Sequence, residues 1–316
     1  MIPLRWLIYR SWLVLFTSCL SQPEIPVSAL SRFGKGIPLA TVDDDRLEEV
    51  SGLVASRTNP GMLWVHNDSG NPAEIYLLDS QAVVRAVYVL GPDQRDWEDL
   101  AIGPGPEAGQ NYLYLGDIGD NFTFHSENYI CRFPEPKWPG TAQSRNGTDA
   151  IYLDTIQQID TLTFVYPDEQ WDAEVLLLDP LTKNLYVMTK EMSSIRTYCL
   201  PYPQPTDTTI VAKHLLTVPF EGANLLDRLV AGDISADGQE LLLKTYQQVT
   251  YFIRKDSAQS VAEWVLQPAD TLPYLAEPQG EAIGWAADGS GYFTLSESQI
   301  GSDLYLYFYP RRSESN

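Results

Sequence analysis

The chain has 316 residues, of which 44% are hydrophobic, and 42 acidic residues against 21 lysines and arginines give a formal net charge of −21. This length and composition are typical of one globular domain and allow a repeat array that closes into one body. The charge argues against nucleic acid and against an anionic membrane surface as the main partner, because both require clustered positive charge. It favours cations, although a solubilising acidic surface would give the same excess.

The first residues predict an export signal. Two arginines accompany a short apolar run, Trp12–Phe16, which is too short to span a bilayer. Small residues and then Cys19 follow, as in the lipobox of bacterial lipoproteins; an ordinary signal peptide with a chance cysteine is the alternative. We therefore expect a signal peptide over residues 1–18, and a lipidated Cys19 and a tether over residues 19–36. The lipid would be the one attachment to the membrane, on the periplasmic or extracellular face of the cell envelope.

Short strand patterns fill the rest of the chain, residues 37–316. Runs of β-branched, aliphatic and aromatic residues lie between turn-forming residues, and no segment shows a sustained helical period. The first unit illustrates the pattern with the four predicted strands Ser51–Ser56, Met62–Val65, Glu74–Asp79 and Val83–Leu90. The domain is therefore predicted to be all-β.

An acidic residue recurs beside a small residue and an aliphatic one at the start of five such units. The aliphatic positions are separated by 47, 75, 59 and 49 residues, and they are Leu53, Leu100, Val175, Ile234 and Ile283. All-β units that repeat at about 40–50 residues are typical of propeller blades. The sequence predicts a single β-propeller with five recognisable blades. The long second step hides either a degenerate sixth blade around Ala150–Tyr166 or an insertion.

The last unit lacks a clear fourth strand before the chain ends. Residues 37–43 have a strand pattern of their own and no partner within the first unit. A strand from the N-terminus that completes the last blade would remove two exposed sheet edges. We therefore expect residues 37–43 to close the propeller.

The recurring acids predict a ring of carboxylates around one end of a central channel. In a propeller the first strand of each blade lines the channel, so equivalent positions meet around one mouth. Converging carboxylates must be hydrated, protonated, paired with cations or bound to a hard metal; hydrogen bonds to amides of the next blade are the structural alternative. We predict Ca²⁺ as the cofactor, with the ligands Glu98, Asp117, Glu174, Asp233 and Glu281.

The second strands become polar at one end, in the same register as these acids. His66 is the predicted proton-transfer group because histidine titrates near neutral pH; a structural histidine below Trp64 is the alternative. Lys190 and Lys244 would hold a phosphate or carboxylate, unless they form ion pairs with the acids. We expect these three residues and Asp68 to share one cavity with the five predicted metal ligands.

Several motifs together resemble a family of exported bacterial propeller proteins without an assigned activity. The resemblance covers nearly all of the mature chain and rests on Glu49–Leu53, Trp64–Gly70, Asp96–Ala101, Gly116–Asn121, Thr189–Glu191 and Gly280–Ile283. More distantly, the chain is similar to calcium-dependent propellers of the gluconolactonase, paraoxonase and esterase-like phytase kind. That similarity implies a Ca²⁺ ion at the channel mouth that orients a lactone or a phosphate ester.

Two functions are compatible with these features. The first is a hydrolase of an ester, lactone or phosphoester, in which Ca²⁺ polarises an oxygen and His66 or a carboxylate activates water. The second is a non-enzymatic binding or assembly module of the cell surface, whose loops contact a small molecule, a glycan or a protein. Motifs of α/β serine hydrolases, zinc proteases and nucleotide kinases are absent from the sequence.

Overall fold

The computed structural model describes residues 32–91, 94–140, 151–191, 193–219, 227–298 and 303–312. The predicted signal peptide, Cys19 and most of the predicted tether lie outside the described residues. Within these ranges, no helix has the length and apolar character that crossing a membrane would require.

The described residues form strands with one short helix. The strands of the first half are β1 (Ile37–Thr41), β2 (Val50–Ala55), β3 (Leu63–Asn67), β4 (Glu74–Leu78), β5 (Val84–Val89), β6 (Trp97–Pro104), β7 (Asn111–Asp117), β8 (Asn128–Pro134), β9 (Tyr152–Thr155) and β10 (Asp160–Val165). The second half contains β11 (Ala173–Leu178), β12 (Leu185–Thr189), β13 (Ser194–Leu200), β14 (Ile210–Val211), β15 (Lys213–Pro219), β16 (Leu229–Ile234), β17 (Glu240–Thr245), β18 (Val249–Ile253), α1 (Val261–Trp264), β19 (Asp270–Leu272), β20 (Ala282–Trp285), β21 (Gly291–Leu295) and β22 (Tyr305–Pro310).

These strands form five sheets, which are the five blades of one propeller. All pairs of these described strands are antiparallel except two at outer edges, β5 with β9 and β10 with β14. From the inside outwards, blade 1 is β2-β3-β4-β5-β9, blade 2 is β6-β7-β8-β10-β14, blade 3 is β11-β12-β13-β15, blade 4 is β16-β17-β18-β19 and blade 5 is β20-β21-β22-β1. Each inner strand contacts the inner strands of the two neighbouring blades, so the ring is closed. The predicted all-β propeller with five blades is confirmed.

The last blade is completed by the N-terminal strand, as predicted. Strand β1 pairs antiparallel with β22, with Ile37 opposite Phe308 and Thr41 opposite Tyr305. The packing starts earlier than expected, because Phe33 is fully buried. Its ring lies 5.4 Å from that of Tyr292 and 5.9 Å from that of Trp285. The end of the predicted tether is therefore part of the propeller.

An insertion, and not a sixth blade, explains the long second step. Strand β9 lies within the proposed sixth unit but adds to the outer edge of blade 1, where it runs parallel to β5. Strand β10, from the same region, is the fourth strand of blade 2 and pairs with β8. Strand β14 extends blade 2 in the same parallel manner. The extra residues thus lengthen existing blades and cover their outer edges.

Polar contacts join neighbouring blades at the end of the channel where turns connect the first and second strands, which we call the opposite end. Arg254 of blade 4 lies 3.0 Å from Asp179 of blade 3 (Nη2 to Oδ2), and both side chains are buried. Arg311 of blade 5 pairs with Glu240 of blade 4 at 2.5 Å. Glu135 of blade 2 accepts hydrogen bonds from blade 1, donated by Ser56, Arg57, Thr58 and Trp64.

Candidate functional site

Four of the five inner strands begin with a bulge, at the end of the channel that we call the acidic mouth. The pairing with the second strand skips one residue in each, and the skipped residues are Ser51, Glu98, Glu174 and Val230. A bulge aims its extra side chain away from the regular alternation of the strand. Glu281 takes the corresponding place directly before β20. Three blades therefore present a glutamate at one structural position.

The carboxyl groups at this mouth form two overlapping triads. Oxygen atoms of Asp68, Asp96 and Glu98 lie within 4.8 Å of one another, and the same holds for Glu98, Asp172 and Glu174. This spacing suits a hard cation, because two oxygens bound to one Ca²⁺ at about 2.3–2.6 Å are at most about 5 Å apart. Glu98 belongs to both triads and is 3% exposed.

Glu174 offers a buried oxygen to this cluster. Its Oε1 accepts a hydrogen bond from the ammonium group of Lys190, whereas Oε2 is buried and receives no hydrogen bond from any described residue. A buried carboxylate oxygen without a partner is costly unless a proton or a cation satisfies it. The donor set and this free oxygen both fit a divalent cation.

Glu281 brings blade 5 into the same cluster. The hydroxyl of Tyr246 donates a hydrogen bond to its Oε1, and Lys190 Nζ lies 4.0 Å from the same atom. Burial, together with the nearby charge of Glu281, raises the pKa of Glu297 to about 9. The raised pKa favours the protonated form of Glu297 near neutral pH, which reduces the negative charge on this side of the mouth.

Burial dominates the electrostatics of the mouth. It raises the pKa of Glu98, and the charges of Glu174 and Asp68 raise it further. It raises the pKa of Glu174 to about 8, although the ammonium of Lys190 lowers that value in part. Burial opposes the charge of Lys190, but the carboxylates of Glu174 and Glu281 outweigh it and raise the Lys190 pKa. The mouth therefore keeps protons that a bound cation would replace.

The loop after β7 is fitted closely onto the cluster. A Cβ atom on Gly119 would collide with the carboxylates of Glu98 and Asp96, so a larger residue here would have to displace them. The next residue, Asp120, donates its backbone N–H to Asp172 Oδ1 at 2.9 Å. The second half of the Gly116–Asn121 motif thus positions acids of both triads.

The free energy of unfolding of the cation-free protein should fall as the pH rises from 6.5 to 8. Burial raises the pKa of Glu174 to about 8 and that of Asp233 to about 7, so the folded protein keeps protons that the unfolded chain has already lost. Their contribution is complete at low pH and is lost as the pH rises through the folded values, by about 1–3 kcal/mol together. Below pH 6.5, buried His66 has the opposite effect on the free energy of unfolding, which it makes rise with pH, because burial lowers the His66 pKa to about 4.

Urea unfolding at pH 6.5, 7.2 and 8, in the presence of a chelator, measures this dependence. Glu174→Gln should make the slope shallower, because a glutamine binds no proton in either state. A stability that is constant or rises over this window would contradict the raised pKa values.

His66 lies between blades 1 and 2 and not at the acidic mouth. Its Nδ1 is 2.9 Å from the carbonyl oxygen of Asn67, so Nδ1 carries the proton, and its Nε2 packs against Gly52. The ring is fully buried and lies edge-on to Trp97 at 6.0 Å. The expected shared cavity does not include His66, and its role in proton transfer stays a prediction.

Lys244 is also placed between blades. Its ammonium donates hydrogen bonds to the carbonyl oxygens of Gly280 and Thr245 and lies 4.7 Å from the centre of the Tyr274 ring. Burial lowers its pKa to about 8. Lys244 therefore stabilises the junction of blades 4 and 5, and Lys190 is the lysine that contacts the carboxylates of the mouth.

Two of the predicted metal ligands bind protein groups. Asp117 pairs with Arg95, with Nη2 and Oδ1 2.8 Å apart. Asp233 lies further along its inner strand, and its Oδ2 accepts the backbone N–H of Trp285 in blade 5 at 2.8 Å. The structure thus brings together Asp68, Glu98, Glu174, Lys190 and Glu281, whereas the polar atoms of His66, Asp117, Asp233 and Lys244 contact other protein groups.

Asp96 and Asp172 were missed as predicted ligands although the sequence contains their signal. Each precedes a clustered glutamate by two residues, in Asp96-Trp-Glu98 and Asp172-Ala-Glu174. The predicted set took the glutamates of these two pairs as ligands and left out the aspartates. Tyr246 and Glu297 follow the ends of second strands, at the same stage as Lys190, and the repeat alignment could have identified them.

Comparison with known proteins gives no family. No protein-family model matches the chain, and no curated protein matches it. One solved structure with a similar fold is the PQQ-bound form of aldose sugar dehydrogenase from Streptomyces coelicolor. Its sequence identity is 10%, the alignment covers 88% of this chain and 98% of that chain, and the TM-score is 0.47.

Proposed function

We propose that the acidic mouth binds a divalent cation, with Ca²⁺ as the physiological ion. The observation that carries this proposal is the buried Glu174 Oε2, which receives no hydrogen bond from the described part of the chain and lies beside two triads of carboxylates that share Glu98. Carboxylate oxygens are the ligands that Ca²⁺ prefers, and a partly hydrated ion would also satisfy half-buried Asp68 and Asp96. Glu98 and Glu174 would form its most buried ligands.

We further propose that the cation-loaded mouth hydrolyses an ester, a lactone or a phosphoester. A bound Ca²⁺ would polarise the oxygen of the group that is cleaved. Lys190, which lies between Glu174 and Glu281, would hold a negatively charged part of the substrate. The Tyr246 hydroxyl, which is hydrogen-bonded to Glu281, would orient that carboxylate toward the mouth.

A substrate panel tests the catalytic part of this proposal. Purified protein is assayed with aryl esters, γ- and δ-lactones and phosphomonoesters, each with Ca²⁺ and with a chelator. Turnover that requires Ca²⁺ and is lost in Glu98→Gln supports a hydrolase. Calcium binding without turnover of any substrate class would leave a cation site and reject the hydrolase.

The second candidate is a non-enzymatic binding module of the cell surface. One observation favours it: His66, the residue best suited to proton transfer near neutral pH, is buried between blades with Nε2 against Gly52. A cation would then stabilise the mouth and its loops for binding a small molecule or a glycan. The panel separates the two candidates, because a binding module gives a calcium response without turnover.

We also propose that the protein is a lipoprotein of the cell envelope, anchored through Cys19. Expression of the full chain in a bacterial host should place it in the membrane fraction, and Cys19→Ser should release it. Mass spectrometry of the purified wild type should show the added lipid. A wild-type protein without lipid, with an unchanged distribution for Cys19→Ser, would contradict this localisation.

A further inference from the structure

Two phenylalanine side chains are exposed together beside the acidic mouth. Phe122 is 74% exposed and Phe124 is 81% exposed. Their rings are stacked, with centroids 5.7 Å apart and an angle of 17° between the planes. Large apolar side chains that are exposed side by side often mark a binding surface. We call this pair, on the loop between β7 and β8, the aromatic platform.

Hydrogen bonds to one buried aspartate shape the loop that carries the platform. Asp120, which is 4% exposed, accepts the backbone N–H of Phe124 at 2.7 Å and that of His125 at 2.8 Å. Thr123, at the tip, has a φ of 53° and donates its N–H to the Asp120 carbonyl. A left-handed threonine is a strained conformation that such contacts must hold. The two rings are therefore presented by a defined turn.

The same aspartate links the platform to the carboxylate triads. Its backbone N–H donates to Asp172 Oδ1 at 2.9 Å, and the residue before it, Gly119, packs against Glu98. Phe122 is only two residues further along the chain, so its backbone lies within about 7 Å of that contact. A ligand of moderate size can therefore touch the platform and the mouth together.

The surroundings of the platform favour a sugar over a membrane. The exposed residues Asn121, Thr123 and Ser126 flank the rings with hydrogen-bonding groups, and the loop of residues 118–127 has two acids and no lysine or arginine. An anionic lipid surface would be repelled by the carboxylates of the neighbouring mouth and by the formal net charge of −21. A pyranose ring presents a face of weakly positive C–H groups, which suits the negative face of an aromatic ring, and an edge of hydroxyls, which suits the carboxylates.

We propose that the aromatic platform is a saccharide-binding subsite of the acidic mouth. A sugar ring stacks on an outer face of the Phe122–Phe124 pair, and its hydroxyls reach the polar residues of the loop and the carboxylates beyond it. The sugar contact itself requires no bound cation. The further consequence, that the hydrolysed ester or phosphoester is attached to a sugar, rests on the function proposed above.

Saturation-transfer NMR of the full chain tests the subsite. The probes are glucose, galactose, mannose, N-acetylglucosamine, maltose and cellobiose at millimolar concentration, each with Ca²⁺ and with a chelator. The variants are a Phe122→Ala/Phe124→Ala double variant, a Phe122→Tyr/Phe124→Tyr double variant that keeps both rings, and Leu266→Ala. Leu266 is a matched control, because it is 65% exposed and lies in the loop after α1, in blade 4 and not in blade 2.

We expect transfer to the ring protons of at least one sugar, affinity about tenfold lower in the alanine double variant, and little change in the tyrosine variant and the control. A calcium response that persists in the alanine variant would show that the protein is folded and that the two sites are separable. Absence of transfer to every sugar, or transfer that the alanine variant retains, would overturn the proposal. Binding to anionic vesicles that depends on both phenylalanines would also overturn it, in favour of a membrane contact.

Discussion

Replacement of Asp179 by asparagine should lower the free energy of unfolding by about 3–5 kcal/mol. The side chains of Asp179 and Arg254 are 1% and 0% exposed, and their charged atoms are 3.0 Å apart. The guanidinium also lies 4.2 Å from the centre of the Trp264 ring, where water cannot replace the lost carboxylate. The variant would leave a positive charge buried without a counter-charge at the junction of blades 3 and 4.

Chemical unfolding monitored by tryptophan fluorescence measures this loss. Asp288→Asn is the matched control, because Asp288 caps an exposed turn by accepting the N–H of Ser290, and the change should cost less than about 0.5 kcal/mol. Asp179→Leu should also be strongly destabilised, because it leaves Arg254 buried without a counter-charge. The double variant Asp179→Leu/Arg254→Leu should recover part of that lost stability, because it removes both charges. An Asp179→Asn protein as stable as the control would show that the ion pair contributes little to closure of the ring.

Replacement of Lys190 by methionine should destabilise the cation-free protein and strengthen calcium binding. Without the ammonium, Glu174 and Glu281 face each other without a counter-charge, which should lower the free energy of unfolding by about 2–4 kcal/mol. The same change removes a positive charge that repels an incoming cation. We expect the dissociation constant for Ca²⁺ to fall at least about tenfold.

Calorimetric titration and thermal unfolding in Ca²⁺ and in a chelator measure both effects. Lys183→Met is the control: Lys183 donates to the Gly105 carbonyl at 2.8 Å at the opposite end, so its loss should leave calcium binding unchanged. Weaker calcium binding in Lys190→Met would mean that Lys190 supports the cation site, and not that it competes with the cation.

The blade architecture could be predicted because strand length, turn residues and repeat spacing all depend on local sequence. The first and second strands of each blade, and the closure by residues 37–43, are confirmed by the sheet pairing. The parallel additions of β9 and β14 could not be predicted. Their pairing partners are distant in sequence, and short outer strands carry little hydrophobic pattern.

The sequence predicts only some of the residues of the site correctly. The reason is that two repeats can be misaligned by two residues without any change in their hydrophobic pattern. The sequence pattern predicts Ile234 as the aliphatic position of blade 4. The strand pairing instead places Gly232 opposite Leu243, where Leu53 stands opposite Val65 in blade 1. A slip of two residues keeps every side chain on the same face, so the hydrophobic pattern cannot reveal it. Asp233 was therefore placed in the ring, although the bulge position of its blade holds Val230.

The same slip explains the assignment of the basic residues. Lys190 corresponds to Asp68 and Tyr246, which follow the ends of their second strands, whereas Lys244 corresponds to His66 within the strand. Positions within the strand face the neighbouring blade, and positions just beyond its end reach the mouth. The bulges that determine this difference depend on the pairing of two strands, which the sequence of one strand does not reveal.

Calcium binding to the wild type, Glu98→Gln and Glu135→Gln tests the central claim most directly. Glu98 belongs to both carboxylate triads, and Glu135 is a buried glutamate of the same blade that holds blade 1 at the opposite end. Thermal unfolding is recorded with millimolar Ca²⁺ and with a chelator.

We predict a calcium-induced stabilisation of the wild type of about 2–3 kcal/mol at a hundredfold excess over the dissociation constant. Glu98→Gln should lose this stabilisation while its cation-free form is as stable as the wild type or more so, because glutamine is neutral at every pH and cannot add to the repulsion among the carboxylates. Glu135→Gln should be less stable and keep the full calcium response. A wild type that does not respond to millimolar Ca²⁺, together with a Glu98→Gln variant that is simply less stable, would contradict a cation site at the acidic mouth.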